Sequence, residues 1–222
     1  ETETQNLSLM LPNGQVYMIG HPLSDLPEAD RIEESMYGFT WHVYNKDYSN
    51  FVMVAVDSGL ISGFYTNSRG FSLNNGVSWG DASSSGWVQT PNTILTLYRD
   101  QHSNNQVHAV LALTGYGHPS VDSSDFYRVQ AYQNFDAVNA FRVNYGKAPL
   151  LWDEDAAKAA ELHSQDMADN NYFSHDSQDG RGSSDRYLAI RQGNLRCSGE
   201  NISAGHVYGV DTFDAFVNSE EH

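Results

Sequence analysis

The sequence has few basic residues, a single cysteine and no long apolar run. Lys and Arg number 12 against 28 Asp and Glu, so the formal net charge is −16. A field of this sign repels phosphate backbones and anionic lipid surfaces, which argues against nucleic acid and membrane surfaces as partners. One Cys cannot form an internal disulfide framework. No apolar stretch approaches the length of a membrane span, so we expect no transmembrane segment.

The composition that remains is that of a folded, exported protein. A length of 222 residues with 40% hydrophobic composition is enough to bury a core, in one domain or two. The start, ETETQNLSLM, has neither a basic region nor an apolar core, so we expect any signal peptide to have been removed already. With its single Cys and many Tyr, Asn, Ser and Gly, the chain fits an exported bacterial protein, extracellular or associated with the cell wall.

A change of hydrophobic period divides the sequence. Gly, Pro, Ser and Asp accumulate in TGYGHPSVDSSDF, residues 114–126, which is typical of a linker. Segments before it alternate with a period of two, and segments after it repeat with helical spacing. We therefore predict an N-terminal β domain over residues 1–117 and a second domain over residues 126–222.

The first half reads as strands joined by hairpins. FTWHVYN and NFVMVAV place alternate apolar residues on common faces, namely Phe39, Trp41 and Val43 in one strand and Val52, Val54 and Val56 in the other. Hairpin turns are predicted at residues 57–59 and near residues 103–105. The aromatic residues can line a binding groove or fill the core, and at strand spacing the core is the more common place; they are Trp41, Tyr44, Tyr65 and Trp79.

Two amphipathic helices are predicted next. In FDAVNAFRVNYG the apolar residues recur at helical spacing, and Gly146 supplies a C-terminal stop. Asp153 is suited to cap a second helix that runs toward Asn170. His163 shares a face of this helix with small residues, where a packed core histidine is more common than a ligand. His175 follows in NNYFSHDSQDG, at the edge of an element.

The end of the chain predicts a further helix. Asp211 in DTFDAFVNSEEH is suited to an N-cap, and a helix from there would place Ala215, Ser219 and His222 on one face. Taken alone, Ser219 is more often solvated than functional, and a terminal His is more often frayed.

Three motifs in order carry a family resemblance. VNAFRVNYGKAPLLWDEDAAKAAELHSQDMADNNYFSH, then GENISAG, then FVNSEEH resemble the bacterial branch of the CAP superfamily, also called SCP-like extracellular proteins. The resemblance spans residue 127 to the end, and the ordered set is more specific than any one motif. YGFTWHVYN and YSNFVMVAV resemble the β domain that precedes this module in some secreted Firmicutes proteins.

The resemblance implies a fold class and a site. The expected class is α+β, with a mostly β N-terminal domain followed by the α-β-α sandwich of the CAP domain. The family's cleft holds histidines and acidic residues, which by motif correspond to His175, Glu200 and His222. Ser219 stands where many members have a second Glu, so the acidic set is incomplete. Glu200 would orient His175 or hold a metal-bound water.

The resemblance also bears on the C-terminal end. Family members continue past the second His with the closing strands of the sheet, so we expect the CAP domain to be incomplete in this chain. We further expect a form ending at His222 to be less stable than a longer one and to self-associate through an exposed sheet edge.

Several functions stay open on the sequence. The first hypothesis is a secreted binding module for a peptide, a cell-wall fragment or a small apolar ligand. Two neutral imidazoles and a carboxylate suit a divalent cation such as zinc, held by His175 and His222. The alternative is a metal-dependent hydrolase of peptides with Glu200 as general base. A Cys197 nucleophile paired with His206 or His175 is a weaker idea, because no electropositive setting surrounds it.

Overall fold

The chain folds into two compact units. The computed structural model describes residues 6–82, 87–90, 92–115, 125–191, 193, 199–220 and 222. The first unit comprises Glu1–Pro149 with Val207–Glu221, and the second comprises Leu150–His206 with His222. The described part is strand-rich in its N-terminal half and helical after residue 125, which confirms the predicted mixture of α and β structure.

The first unit contains two antiparallel sheets. Its strands are β1 Ser8–Met10, β2 Val16–Met18, β3 Arg31–Glu34, β4 Thr40–Tyr44, β5 Val52–Asp57, β6 Leu60–Thr66, β7 Ser72–Leu73, β8 Trp87–Thr90, β9 Thr93–Asp100 and β10 Gln106–Leu113. The smaller sheet has the order β2-β1-β7, and the larger has the order β3-β4-β5-β6-β10-β9-β8. Two 3-10 turns, Leu23–Asp25 and Tyr48–Asn50, lie between strands.

The larger sheet is covered on both faces, which follows from the alternation of its strands. In β5 the residues Val52, Val54 and Val56 face a core shared with the smaller sheet. Met53 and Ala55 face the opposite core, which also includes helical residues. Both faces of the strand are therefore buried, and the predicted period of two is confirmed.

The predicted hairpins and core aromatics agree with the structure. Ser58 and Gly59 join β5 to β6 with positive φ of 51° and 78°, the backbone that a tight two-residue turn requires. Trp41 and Tyr65 are buried, which supports the core interpretation. Tyr44 and Trp79 are partly buried and pack against the same core cluster as Val54.

Four helices follow the sheets in the described residues. They are α1 Phe126–Asn144, α2 Glu154–Asp169, α3 Ser183–Arg191 and α4 Gly209–Val217. Helices α1 and α4 belong to the first unit, and α2 and α3 to the second. The stop predicted for α1 is confirmed, because Gly146 follows it with φ of 70°. None of the described helices has the length and apolarity to cross a membrane.

The last helix differs from the sequence prediction at both ends. Helix α4 begins at Gly209, so Asp211 lies in its first turn and is not its N-cap. A Cβ on Gly209 would come within 2.1 Å of the Gln130 carbonyl oxygen, so only glycine permits this approach to α1. The helix ends at Val217, and the prediction that Ser219 and His222 share a helical face is therefore wrong.

The domain boundary predicted between residues 117 and 126 stays a prediction. Most of the linker, residues 116–124, lies outside the described residues. The described chain leaves β10 at Leu113 and resumes before α1 at Phe126. Because α1 and α4 pack with the strands, the compact units are divided at other places than the predicted domains.

A buried carboxylate connects α1 to the strands of the first unit. Asp136 is 1% exposed and accepts hydrogen bonds from Arg31 Nη2 at 2.6 Å, Asn45 Nδ2 at 2.9 Å and the Tyr48 hydroxyl at 2.7 Å. Arg31 Nε also donates to Glu33 at 2.5 Å. Burial raises the pKa of Glu33 and outweighs the opposing effect of Arg31. A buried ion pair of this kind is costly to break because each partner depends on the other.

We expect Asp136→Ala to lower the free energy of unfolding by about 3 kcal/mol, because the Arg31 guanidinium and the Tyr48 hydroxyl would lose their acceptor. Urea unfolding near neutral pH measures the change. Asp25→Ala, which removes an exposed carboxylate, should stay within about 0.5 kcal/mol of the parent. Equal losses in the two variants would show that the network does not stabilise the first unit.

Candidate functional site

The N-cap residue of α2 connects the two helices of the second unit. Asp153 Oδ1 accepts hydrogen bonds from the backbone N–H groups of Asp155 at 2.9 Å and Ala156 at 3.0 Å. Its other oxygen accepts from Arg191 Nη1 at 2.6 Å and the Tyr187 hydroxyl at 3.1 Å, which joins α2 to α3. The backbone hydrogen bond from Ala156 is the main cause that lowers the pKa of Asp153. The predicted cap is confirmed.

The loop after α2 is anchored by a buried histidine. His163 is 2% exposed, and its Nε2 lies 2.9 Å from the carbonyl oxygen of Ser174. Tyr172 approaches the same imidazole edge-on, and its hydroxyl donates to the carboxylate of Asp166. His163 is therefore a packed residue, as the sequence predicts, and it fixes the backbone immediately before His175.

Arg186 on α3 is the centre of the polar interactions in this unit. Its side chain is 7% exposed. Nη1 donates to the carbonyl oxygens of His175 and Arg181, both at 2.9 Å, and to Ser177 Oγ at 3.2 Å. Nη2 donates to Glu200 Oε2 at 2.5 Å. One guanidinium thus holds the His175 loop and the Glu200 carboxylate together, with its charge compensated by Glu200.

Glu200 and His175 form a pair at the edge of this network. Glu200 Oε1 lies 3.1 Å from His175 Nδ1, and the two side chains are 17% and 60% exposed. Burial alone would raise the pKa of Glu200, but the hydrogen bonds from Arg186 and His175 outweigh it and lower the pKa below 4.5. Because an ionised carboxylate only accepts, Nδ1 carries a proton, and in the neutral imidazole Nε2 is the nitrogen with the lone pair.

An open groove of about 520 Å³ lies within the second unit, and Arg186, which donates to both partners of the pair, is part of its lining. Helix α2 contributes Ala159, Leu162, His163 and Asp166 to it, and α3 contributes Ala189 and Ile190. Arg186 and residues 177–179 and 181 complete the lining. The two helices therefore give the groove an apolar part, formed by Leu162 and Ile190 with alanines, and also charged groups, Asp166 and Arg186.

The other residues named from the sequence are divided between the two units or lie outside the described chain. His222 groups by its contacts with the second unit, which also carries His175 and Glu200, whereas Ser219 groups with the first unit. His206 is exposed. Cys197 lies outside the described residues. Among the residues that the structure describes, no group of three or more His, Cys, Asp or Glu is arranged to hold a metal ion.

Sequence reasoning missed Arg186. In GRGSSDRYLAIR it is one of three arginines, and no local pattern separates it from Arg181 or Arg191. Arg181 and Arg191 are half exposed and pair with neighbouring carboxylates on the surface. An arginine in a polar helix is normally exposed, so its burial is visible only once the loop carrying His175 and the segment carrying Glu200 are placed around it.

The comparisons with known families agree with the predicted resemblance. Residues 135–222 match the family model CAP, the cysteine-rich secretory protein family. Residues 23–85 match the model described as CAP-associated N-terminal. The chain therefore contains a segment that matches the CAP family and, before it, a segment that matches the CAP-associated N-terminal model.

Two curated relatives come from Bacillus subtilis (strain 168). The uncharacterized membrane protein YlbC is 39% identical over 92 residues, which cover 40% of this chain and 26% of the relative. The uncharacterized protein YkwD is 36% identical over 96 residues, which cover 42% of this chain and 37% of the relative. The matches thus span only about a quarter and a third of these relatives.

Two solved structures share the fold. An extracellular protein containing a SCP domain from Bacillus anthracis str. Ames has a TM-score of 0.77 and 24% identity, with 91% of this chain and 84% of that chain covered. A cysteine-rich secretory protein (SAV1118) from Staphylococcus aureus subsp. aureus Mu50 has a TM-score of 0.64 and 16% identity, with 91% and 82% covered. At these identities the likeness shows the fold alone.

We expect Glu200→Gln to reduce stability at neutral pH and to matter less in acid. A carboxylate whose pKa is lowered by folding contributes stability that is present above the ordinary value of 4.5 and is lost as the pH falls through the folded value. Melting temperatures of parent and variant should therefore converge between about pH 7 and about pH 3. Glu161→Gln, on the exposed side of α2, serves as the control. A difference that stays constant with pH would contradict the ionised pair.

Proposed function

We propose that this chain is a secreted bacterial binding module whose His175 and Glu200 cleft holds a divalent cation such as zinc. The ligands that fit best are a peptide, a cell-wall fragment or a small apolar compound. The observation that carries the proposal is the hydrogen bond between His175 Nδ1 and Glu200 Oε1 at 3.1 Å. It leaves His175 Nε2 as an exposed electron-pair donor of fixed orientation, which is the usual arrangement of a metal-binding histidine.

The donor set fits a weak cation site. His175 would supply one nitrogen, and His222, which groups with the same unit, would supply the second. Glu200 is occupied by Arg186 and His175, so it would act behind the ligand shell by orienting the imidazole. A cation bound there would offer open positions to water or to a ligand and would act as a Lewis acid toward it.

The charge of Glu200 favours binding over hydrolysis. In the alternative, a metal-dependent peptidase, Glu200 would accept a proton from water as general base. Its pairing with Arg186 at 2.5 Å and its lowered pKa make the carboxylate a poor base, because the ionised form is the one that the site stabilises. The binding interpretation needs only the ionised form and is therefore preferred.

The net charge and the structural relatives support the proposed setting. A formal charge of −16 favours cationic or neutral ligands over anionic ones. The Bacillus anthracis protein that shares this fold is described as extracellular. An extracellular or wall-associated location is consistent with both observations and with the composition of the chain.

Zinc titration by calorimetry tests the cation site. We expect His175→Ala to abolish binding and Glu200→Gln to weaken it about 10-fold, because the second variant loses the group that orients the imidazole. His206→Ala removes an exposed histidine of the same unit and should bind zinc as the parent does. Binding should also weaken from about pH 7 to about pH 5, because only a neutral imidazole coordinates.

A second variant tests the other nitrogen. His222→Ala should reduce zinc affinity if His222 is the second donor. Equal zinc affinity of the parent and His175→Ala would remove this cleft from consideration.

A further inference from the structure

A directed chain of hydrogen bonds crosses the floor of the groove in the second unit. Arg186 Nη1 lies 3.2 Å from Ser177 Oγ, which lies 3.5 Å from His163 Nδ1. The other nitrogen of His163 lies 2.9 Å from the Ser174 carbonyl oxygen. Ser177 and His163 are 7% and 2% exposed. Neither side chain takes part in the pair formed by His175 and Glu200.

The groups at the two ends of this series of hydrogen bonds determine which atoms donate and which accept. A guanidinium can only donate, so Ser177 Oγ accepts from Arg186. A carbonyl oxygen can only accept, so the proton of neutral His163 is on Nε2 and Nδ1 is left with a lone pair. The Ser177 hydroxyl can therefore donate its proton to Nδ1 at 3.5 Å, and the Tyr172 hydroxyl is a second hydrogen-bond partner of Ser177. A hydroxyl that points at an imidazole whose far nitrogen is fixed by a third group is the arrangement of an activated serine.

The groove gives this serine access to a substrate. Ser177, His163 and Arg186 all line it, and its apolar wall includes Leu162 and Ile190. The volume of about 520 Å³ is within the range of pockets that hold small molecules. Arg186 Nη1 lies 3.2 Å from Ser177 Oγ, so a positive charge is close to the nucleophile, while the negative charge of the attack itself would develop on the carbonyl oxygen of the substrate.

We propose that Ser177 is a nucleophile, with His163 as its general base, and that the groove accepts esters of short apolar acyl groups. Ser177 Oγ attacks the ester carbonyl carbon while its proton passes to His163 Nδ1. The carbon–oxygen bond to the leaving alcohol then breaks, and His163 returns the proton to that alcohol. Water hydrolyses the acyl-serine by the same proton path, which restores Ser177 and releases the carboxylic acid.

The distance between nucleophile and base is compatible with this role. At 3.5 Å it is longer than the roughly 2.6–3.2 Å of a tight catalytic hydrogen bond, and such contacts commonly shorten when substrate binds. A purely structural serine would need only the hydrogen bonds to Arg186 and His163. It would not need to line a groove with an apolar wall.

The test uses the whole chain and an alkyl fluorophosphonate, which reacts with activated serines. We expect one covalent adduct in the intact protein, mapped to Ser177 by peptide mass spectrometry, and slow turnover of p-nitrophenyl butyrate. Ser177→Ala should lose the adduct and at least tenfold of the turnover. His163→Gln should slow both reactions, because the base is lost.

The matched control is Ser164→Ala, which removes an exposed serine next to His163 on α2 and should react as the parent does. Labelling should persist in EDTA, which separates this proposal from the cation site. Circular dichroism and thermal melting check that the variants fold. If a variant does not fold, the position of the adduct in the parent protein still tests the proposal. An adduct on another residue, no adduct on Ser177, or full turnover by a folded Ser177→Ala variant would overturn the proposal.

Discussion

The buried guanidinium of Arg186 is the interaction on which the candidate site depends. Its four acceptors come from the loop after α2, the turn before α3 and the segment that carries Glu200. Because a buried charge is stable only with a compensating charge, Glu200 must stay ionised and close to Arg186. That requirement places Glu200 Oε1 against His175 and leaves the outer nitrogen of His175 facing solvent. The geometry of the pair is thus a consequence of satisfying one buried cation.

The first unit also contains a buried charge that needs partners, and there the charge is negative. Asp136 on α1 is a buried anion whose donors come from β3, from the end of β4 and from the turn after it. A helix at the start of the CAP segment is thereby held on the sheet of the N-terminal part. Helix α4 is held there too, through hydrogen bonds from the Tyr98 hydroxyl to Asp211 and between His108 and Asp214. The N-terminal sheet therefore serves as a platform for helices from the other end of the chain.

The two chemical proposals for the second unit use different parts of the same network. The cation proposal depends on the exposed end, where Glu200 fixes the tautomer of His175. The nucleophile proposal depends on the buried end, where the Ser174 carbonyl oxygen fixes the tautomer of neutral His163 and Ser177 Oγ lies 3.5 Å from His163 Nδ1. Because Arg186 donates to both ends, neither arrangement needs a metal for its orientation. A ligand in the groove would contact the buried end, because Ser177, His163 and Arg186 line it.

The sequence alone determined the features that depend on neighbouring residues. The period of two in β5, the Asp153 cap and the stop at Gly146 could all be predicted, because each depends on a few adjacent residues. The resemblance to the CAP family further predicted that Glu200 would orient His175. Only the tertiary structure decided that Arg186 is buried and that α4 begins at Gly209, because both follow from contacts with residues distant in sequence. Local sequence patterns determine secondary-structure propensity and helix capping. Only the tertiary fold determines which buried charges must be paired and where two backbones approach so closely that no side chain fits.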